Sequence, residues 1–403
     1  MELSSFMINF ASMKKKICFL VDSIFSFGGV QRVTAVIAKE LAKEYDVTII
    51  TLDSPQQENK SLYGLDDALI DYRYFSYPKI RKWKYPFCKA ISGVYLKTNI
   101  LTKWASEIYA HSSFPSEQRK ALLRELKQKE YDIIIGVHAP LAARLANLYN
   151  EFPKAKLFGW IHNSYEALFG ENSLYIGRKR KRHYFYQFSK LGSVIVLSQF
   201  DALKYNQFDS RIYPIVIPNP LTIKPVKIST GTSKRFLAVG RLTPLHKGFD
   251  ILIEAFRLFS YKNQEWCLDI VGEGPEKDKY ESMITEYHLG NRIFIHPFTN
   301  NIEHYYSTAQ IYVLSSRWEG FGLVLVEAMA HGLPIVTSSL PTSKEILGDF
   351  GIYFKNGDII DLAFRLEESI KVDWQIKSQQ AIKIAKNYDI KRIIKKWKTL
   401  FEC

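Results

Sequence analysis

The sequence predicts an α/β chain of two doubly wound, parallel-sheet domains, and three observations carry that expectation. At 403 residues the chain is longer than one hydrophobic core readily serves. Two separate series of short apolar segments alternate with stretches of helical periodicity, as βα units feeding a parallel sheet do. Between the series, residues 219–233 are polar and rich in Lys, Thr, Ser and Gly, which reads as a linker.

The first series opens with an apolar strand over residues 17–21. A loop carrying Gly28-Gly29 follows, then an amphipathic helix over 30–44 and a strand over 47–51. Further strands are expected at 132–137, 156–161, 193–197 and 213–217. After the linker, strands are expected at 235–239, 267–271, 292–295, 311–314, 334–337 and 352–354. Residues 372–403 alternate apolar and basic residues at helical spacing. The expected organisation is therefore a first domain over 1–218, the linker, and a second domain over 234–385. Two such domains face each other across a cleft, with ligands at the carboxyl ends of the strands.

Hydrophobic residues make up 47% and charged residues 24%, which excludes a disordered chain. The formal net charge of +14 is uneven, for residues 1–220 hold 31 Lys and Arg against 20 Asp and Glu. A basic first half implies an anionic partner: nucleic acid, an anionic membrane surface or a phosphorylated acceptor. Cys18, Cys88, Cys267 and Cys403 show no paired or metal-ligand spacing, so idle thiols in a reducing cytoplasm are expected. No apolar run reaches the ~20 residues of a membrane span. Residues 1–12 read as an extension ahead of Lys14-Lys15-Lys16, with Met13 as a rival start.

The densest chemistry lies in SSRWEGFGLVLVEAMAHGLPIVTS, residues 315–338, where seven residues separate Glu319 from Glu327. A plain strand–loop–helix–strand unit needs the apolar run, Gly332 and Pro334. It needs neither two acids nor Gly320 and Gly322 at the helix entrance. Glycines there bare the N–H groups of a helix N-terminus, which is an anion site, and a neighbouring carboxylate accepts hydrogen bonds from hydroxyls. The pattern suits a ligand that is both phosphorylated and polyhydroxylated, such as a nucleotide sugar. Upstream, Gly240-Arg241 ends the strand FLAVG and Lys247-Gly248 opens the next helix. Arg binds diphosphate with two donors and Lys adds a point charge. Both would stabilise the charge that develops when a sugar–diphosphate bond breaks.

The stretch resembles the E-x-x-x-x-x-x-x-E signature of the family-4 retaining glycosyltransferases of GT-B fold, of the bacterial surface-polysaccharide type. FLAVGRLTPLHKGFDILIEAF (236–256), LDIVGEGPEK (268–277) and ICFLVDSIFSFGGVQR (17–32) match that family in order and rough spacing. The resemblance implies the GT-B architecture, two Rossmann-like domains, with the helix over 386–403 crossing back to the first domain. It also implies that Arg241 and Lys247 hold the donor's diphosphate with no metal or other cofactor. Glu319 then meets the donor sugar's hydroxyls and Glu327 the ribose, while the amides of Gly320, Phe321, Gly322 and Leu323 meet sugar or phosphate oxygens. His162, at the end of LFGWI, matches a family histidine that contacts the donor sugar; His138, ending DIIIGV, is a second candidate. The family's retention is argued to proceed by front-face departure and attack, so Glu319 takes no covalent role.

Other expected contacts are weaker in pattern. Gly28 and Gly29 suit a close backbone approach to an anion, though a tight turn gives the same residues. Gly272, Glu273 and Gly274 are placed to wall the base and ribose, and Phe298 to edge the base. Two basic–aromatic stretches suit an anionic membrane or a lipid-linked acceptor, and a solvated helix face has the same composition. One holds Arg81, Lys82, Trp83 and Lys84, the other Arg178, Lys179, Arg180, Lys181 and Arg182. Nothing else resembles a nucleic-acid module.

The expected activity is transfer of a hexose or N-acetylhexosamine from a nucleoside-diphosphate sugar, with UDP as the nucleotide carrier. The acceptor is a growing glycan, lipid-linked or oligosaccharide, for a capsule, O-antigen or cell-wall polymer, and the enzyme is peripheral on the cytoplasmic face of the cell membrane. An epimerase or phosphorylase of the same fold, or a non-catalytic glycan-binding homologue, remain rival readings.

Overall fold

The computed structural model describes residues 14–98, 103–171, 173 and 175–402. The expected extension over 1–12, the start at Met13 and Cys403 lie outside these residues. The described chain forms two compact units, one reaching to Trp160 and including Arg182–Val194, the other made of Ile161–Lys181 and everything from Ile195 onward.

The first sheet is built from β1 (Lys16–Val21), β2 (Asp46–Thr51), β3 (Ile70–Tyr74), β4 (Ile133–Val137), β5 (Lys156–Trp160), β6 (Ser193–Val196) and β7 (Pro214–Val216). Its order is β3-β2-β1-β4-β5-β6-β7. The central strands KICFLV and IIIGV are apolar on both faces because helices cover both, as a parallel sheet requires. The sequence reading lacks β3. Its residues, IDYRY, are half-exposed at a sheet edge and carry no continuous apolar run. The helix α1 (Gly29–Leu41) starts from Gly28 and buries Val33, Ile37 and Leu41, an i, i+4, i+8 stripe. Two more helices, α2 (Lys84–Thr98) and α3 (Lys103–Ser113), follow β3.

The second sheet holds β8 (Arg235–Val239), β9 (Cys267–Val271), β10 (Ile293–His296), β11 (Ile311–Leu314), β12 (Ile335–Ser338) and β13 (Ile352–Phe354). All pairs are parallel and the order is β10-β9-β8-β11-β12-β13. The helix Phe249–Ser260 anchors the unit through Phe256 and Phe259, both fully buried against Phe236 and Trp266. Each such phenylalanine is worth ~1.5–3 kcal/mol of burial. That anchorage holds the helix entrance, and Lys247 just before it, at the carboxyl end of β8. Strand order reverses between β8 and β11, and a doubly wound sheet opens its ligand crevice at that switch point.

Candidate active site

Two loops leave the switch point of the second sheet, residues 240–248 after β8 and 315–322 after β11, and they are tied together along their length. The Ser315 hydroxyl donates to the Lys247 carbonyl at 2.8 Å, and the Arg317 amide donates to the His246 carbonyl at 2.8 Å. The Arg317 guanidinium donates twice to Asp250, at 3.0 and 2.7 Å, and holds that carboxyl below its usual range against the effect of burial. His246 stacks on Trp318 with ring centroids 5.0 Å apart and planes 8° from parallel. Gly248 has φ 62°, and a Cβ there would overlap the Ser315 carbonyl. Only glycine fits both the turn and the approach.

Inside this frame Lys247 meets Glu319. The Lys247 Nζ donates to Glu319 Oε1 at 2.6 Å, and the Ser316 hydroxyl donates to the same oxygen at 2.6 Å. Burial alone would raise the Glu319 carboxyl, but Lys247, His246 and the Ser316 hydroxyl hold it below the usual carboxylate range. It is therefore an anion at neutral pH. Lys247 keeps two further N–H donors, and Glu319 Oε2 takes no hydrogen bond among the described residues. The Lys247 stem runs over Gly240, where a Cβ would stand 3.0 Å from its Cδ. Arg241, the next residue, is exposed, and its guanidinium has no ion pair among the described residues.

The glycines between the two glutamates answer to different constraints. A Cβ at Gly320 would overlap the backbone carbonyl of His162, so the loop after β11 lies directly on the segment after β5. This contact brings His162, which is 4% exposed, to the Glu319 loop. Gly322 has φ 87° and forms the N-cap of the helix Leu323–Ala330. Among the described residues the N–H groups of Phe321, Gly322 and Leu323 meet no protein acceptor. Four such groups are orphaned at any helix start, and here they follow Glu319, which Lys247 meets. Phe321 itself is buried and packs edge-on against Tyr388 at 5.7 Å.

Glu327 lies in that helix, 2% exposed. Its Oε2 accepts from the Tyr306 hydroxyl at 3.0 Å and its Oε1 from the Thr222 hydroxyl at 3.2 Å. Tyr306 stacks on His331 at 4.9 Å, and the His331 Nδ1 is 2.7 Å from the Glu327 carbonyl. Both oxygens of this buried carboxylate therefore already accept a protein hydroxyl. The sequence signalled both glutamates, but nothing local marked Tyr306 or Thr222, which arrive from a distant helix and the linker. Ser316, three residues before Glu319, was legible as a neighbour.

A Cβ at Gly272 would overlap the Gly240 carbonyl, and one at Gly274 the Leu242 carbonyl. The Leu242 amide donates to the Glu273 carbonyl at 2.8 Å. These residues thus wall the loop after β8, with the Glu273 side chain exposed. Phe298 is 47% exposed in the loop after β10. Gly28 and Gly29 belong to the other unit, at the start of α1, and the Gly28 amide donates to the Tyr63 hydroxyl at 3.0 Å. His138 follows β4 with φ 72° and ψ 152°, a region that glycine alone adopts freely, and burial holds its pKa down against the pull of Asp22. The two basic–aromatic stretches differ. Arg81, Lys82 and Trp83 are exposed together, whereas in the helix Arg178–Phe188 the cations Arg178, Lys179 and Arg182 are exposed while Phe185 and Phe188 are core. In the same helix Arg180 is half-buried, next to Lys181, which lies over the rings of Tyr165 and Phe208.

Residues 222–388 match the family described as Glycosyl transferases group 1. An uncharacterized glycosyltransferase of Haemophilus influenzae is 28% identical over 401 residues, 95% of this chain and 99% of that one. A poly(ribitol-phosphate) alpha-N-acetylglucosaminyltransferase of Staphylococcus aureus is 27% identical over 255 residues, 61% of this chain and 51% of that one. Among solved structures, TarM superposes with a TM-score of 0.74 at 17% identity, covering 98% of this chain and 100% of its own. The S. aureus TarM mutant solved in complex with UDP gives 0.72 at 18%, covering 96% and 100%. The fold is GT-B, two Rossmann-like parallel-sheet domains, and the chain is a glycosyltransferase.

Proposed function

We propose that this GT-B glycosyltransferase transfers a hexose or N-acetylhexosamine, with retention, from a UDP-sugar to a growing lipid-linked glycan in cell-surface polysaccharide synthesis. The observation that carries the donor half of the reading is the Lys247–Glu319 pair beside the acceptor-free amides of Phe321, Gly322 and Leu323. Arg241, the two remaining Lys247 donors and these amides supply positive potential for a diphosphate, so the reading needs no metal for that charge. Glu319 Oε2 and His162 then face the sugar, and Glu327 takes the ribose.

In the reaction the bond from the anomeric carbon to the diphosphate oxygen breaks, and its electron pair leaves with the diphosphate. Arg241, Lys247 and the amides stabilise that growing charge, which is where such contacts accelerate a step most. The acceptor hydroxyl attacks from the same face and its proton passes to the departing phosphate oxygen. UDP is supported by the TarM complex, and a surface-glycan acceptor by the poly(ribitol-phosphate) transferase. The basic first half suits a phosphorylated, membrane-borne acceptor.

The test is thermal shift with UDP, GDP and ADP on the wild type and on Arg241→Ala. A ligand of the folded state raises Tm by mass action. UDP is expected to raise Tm most in the wild type and little in the variant. Equal shifts in both proteins would remove Arg241 from the site, and a larger shift with GDP would replace the base.

A further inference from the structure

The helix α2 is unusual for a soluble fold, since Tyr95 is its one buried residue among those described. It is held from one side only. Tyr95 stacks on Tyr109 of α3 at 4.5 Å, Tyr109 meets the edge of His183 at 4.7 Å, and Ser92 pairs with Ser112 at 2.8 Å. Most other apolar side chains on the helix face out. Phe87, Ile91 and Val94 fall at i, i+4 and i+7, on one face. Trp83, Phe87 and Trp104 are 62%, 66% and 74% exposed, and Tyr85 is exposed beside them. A groove of about 350 Å³ runs between α2 and α3, lined by Phe87, Cys88, Ile91, Trp104 and Ile108. Monomeric soluble proteins rarely leave so many large apolar side chains contiguous without a partner.

The charge around this patch is predominantly positive, and its two neighbouring acids are both paired, Glu107 with Lys190 and Glu117 with Lys84. Residues 75–106 contain seven Lys and Arg and no Asp or Glu. Lys84 pairs with Glu117 at 2.6 Å, whereas Lys79, Arg81, Lys82, Lys89 and Lys97 are exposed with no carboxylate partner among the described residues. Exposed tryptophan and tyrosine rimmed by unpaired cations match the headgroup layer of an anionic bilayer, where rings sit at the polar boundary and cations meet phosphate. A second copy of this chain is a poorer occupant, because two such surfaces face to face would oppose cation to cation. The other basic stretch lacks the apolar half of this chemistry, since Phe185 and Phe188 belong to the core.

We propose that α2 and α3 form a membrane-docking element that seats the enzyme on an anionic bilayer through Trp83, Tyr85, Phe87 and Trp104, with Arg81, Lys82 and Lys89 on the phosphates. This deepens the lipid-linked acceptor reading by naming the surface that reaches the lipid, and it stands without that reading. Docking brings the enzyme to substrates confined to two dimensions and fixes its approach to them.

The experiment is co-sedimentation of the full chain with vesicles of phosphatidylcholine alone, or of equal parts phosphatidylcholine and phosphatidylglycerol. The wild type should bind the anionic vesicles, weaken with added salt and ignore the neutral ones. Trp83→Ala/Phe87→Ala/Trp104→Ala and, separately, Arg81→Ala/Lys82→Ala should each lower partitioning about tenfold or more, by the ordinary weight of interfacial rings and cations. Both variants should keep the wild-type Tm, because the changed side chains are exposed. Arg178→Ala/Lys179→Ala serves as the control and should bind as the wild type does. Undiminished binding by both docking variants, loss in the control alone, or a dimer in light scattering that Phe87→Ala dissociates without any vesicle binding would overturn the proposal. The UDP-induced Tm shift is read in parallel. A wild type that shows the UDP shift but binds no anionic vesicles sinks only the docking surface, and one that binds vesicles but shows no UDP shift sinks only the donor site.

Discussion

Lys247 and Glu319 are 14% and 9% exposed in their side chains and 2.6 Å apart, so the pair is the most consequential single contact of the site. At an effective dielectric of about 20, two unit charges at that distance attract by roughly 6 kcal/mol, from which the desolvation of both must be subtracted. Removing one partner strands the other. Lys247→Met is therefore expected to destabilise the fold by about 3–5 kcal/mol, and Glu319→Gln by less, because the amide oxygen still accepts from the Ser316 hydroxyl. The double variant should recover part of the loss, giving a coupling of about 2 kcal/mol in a cycle measured by urea unfolding. Catalysis should suffer separately. Release of UDP from a UDP-sugar should slow by about 10²–10³ in Lys247→Met under conditions where the variant is still folded, the usual weight of one donor at a developing anion. Additive stability effects would show that the pair is not coupled. Wild-type turnover in folded Lys247→Met would remove the lysine from the chemistry.

The pair also has a pH signature. The Glu319 carboxyl lies below its ordinary range, so its stabilisation is complete above the unfolded-state pKa and is lost as acid carries the pH down through the folded-state value. Acid should then destabilise the wild type more than Glu319→Gln, as read by Tm against pH. Asp201 runs the other way. Burial pushes it up to about 6, although it accepts the Tyr165 amide and the Ser198 hydroxyl, so its contribution is full below the unfolded value and lost as the pH rises through about 6. Asp201→Asn should accordingly gain on the wild type between acid and neutral pH, and a constant Tm difference across that range would refute the assignment. Gly320→Ala must push the His162 carbonyl away, and a cost of about 1–3 kcal/mol in unfolding is expected, with UDP release reduced as well. Tyr306→Phe removes a hydroxyl that donates to Glu327, and it should weaken UDP binding in calorimetry while leaving binding of a free sugar unchanged.

Sequence alone determined the alternation of short apolar strands with helices, and strands β8, β9, β11 and β13 fall on the residues expected of them. Their signal is local, because a strand buried on both faces must be apolar at nearly every position. The half-exposed β3 carries no such run and went unread. The two glutamates and their glycines were legible for a related reason: acid and glycine are the wrong residues for an apolar helix unless chemistry or close approach demands them. Tertiary structure decided the partners. That Gly320 is a glycine because His162 lies on it, and that Tyr306 and Thr222 hold Glu327, follow from the packing there of the segment after β5, a separate helix and the linker. That Lys247 reaches Glu319 across 72 positions follows from where the loops after β8 and β11 meet. No local pattern encodes that meeting. It arises from strand order, which places distant segments side by side at the point where the sheet reverses.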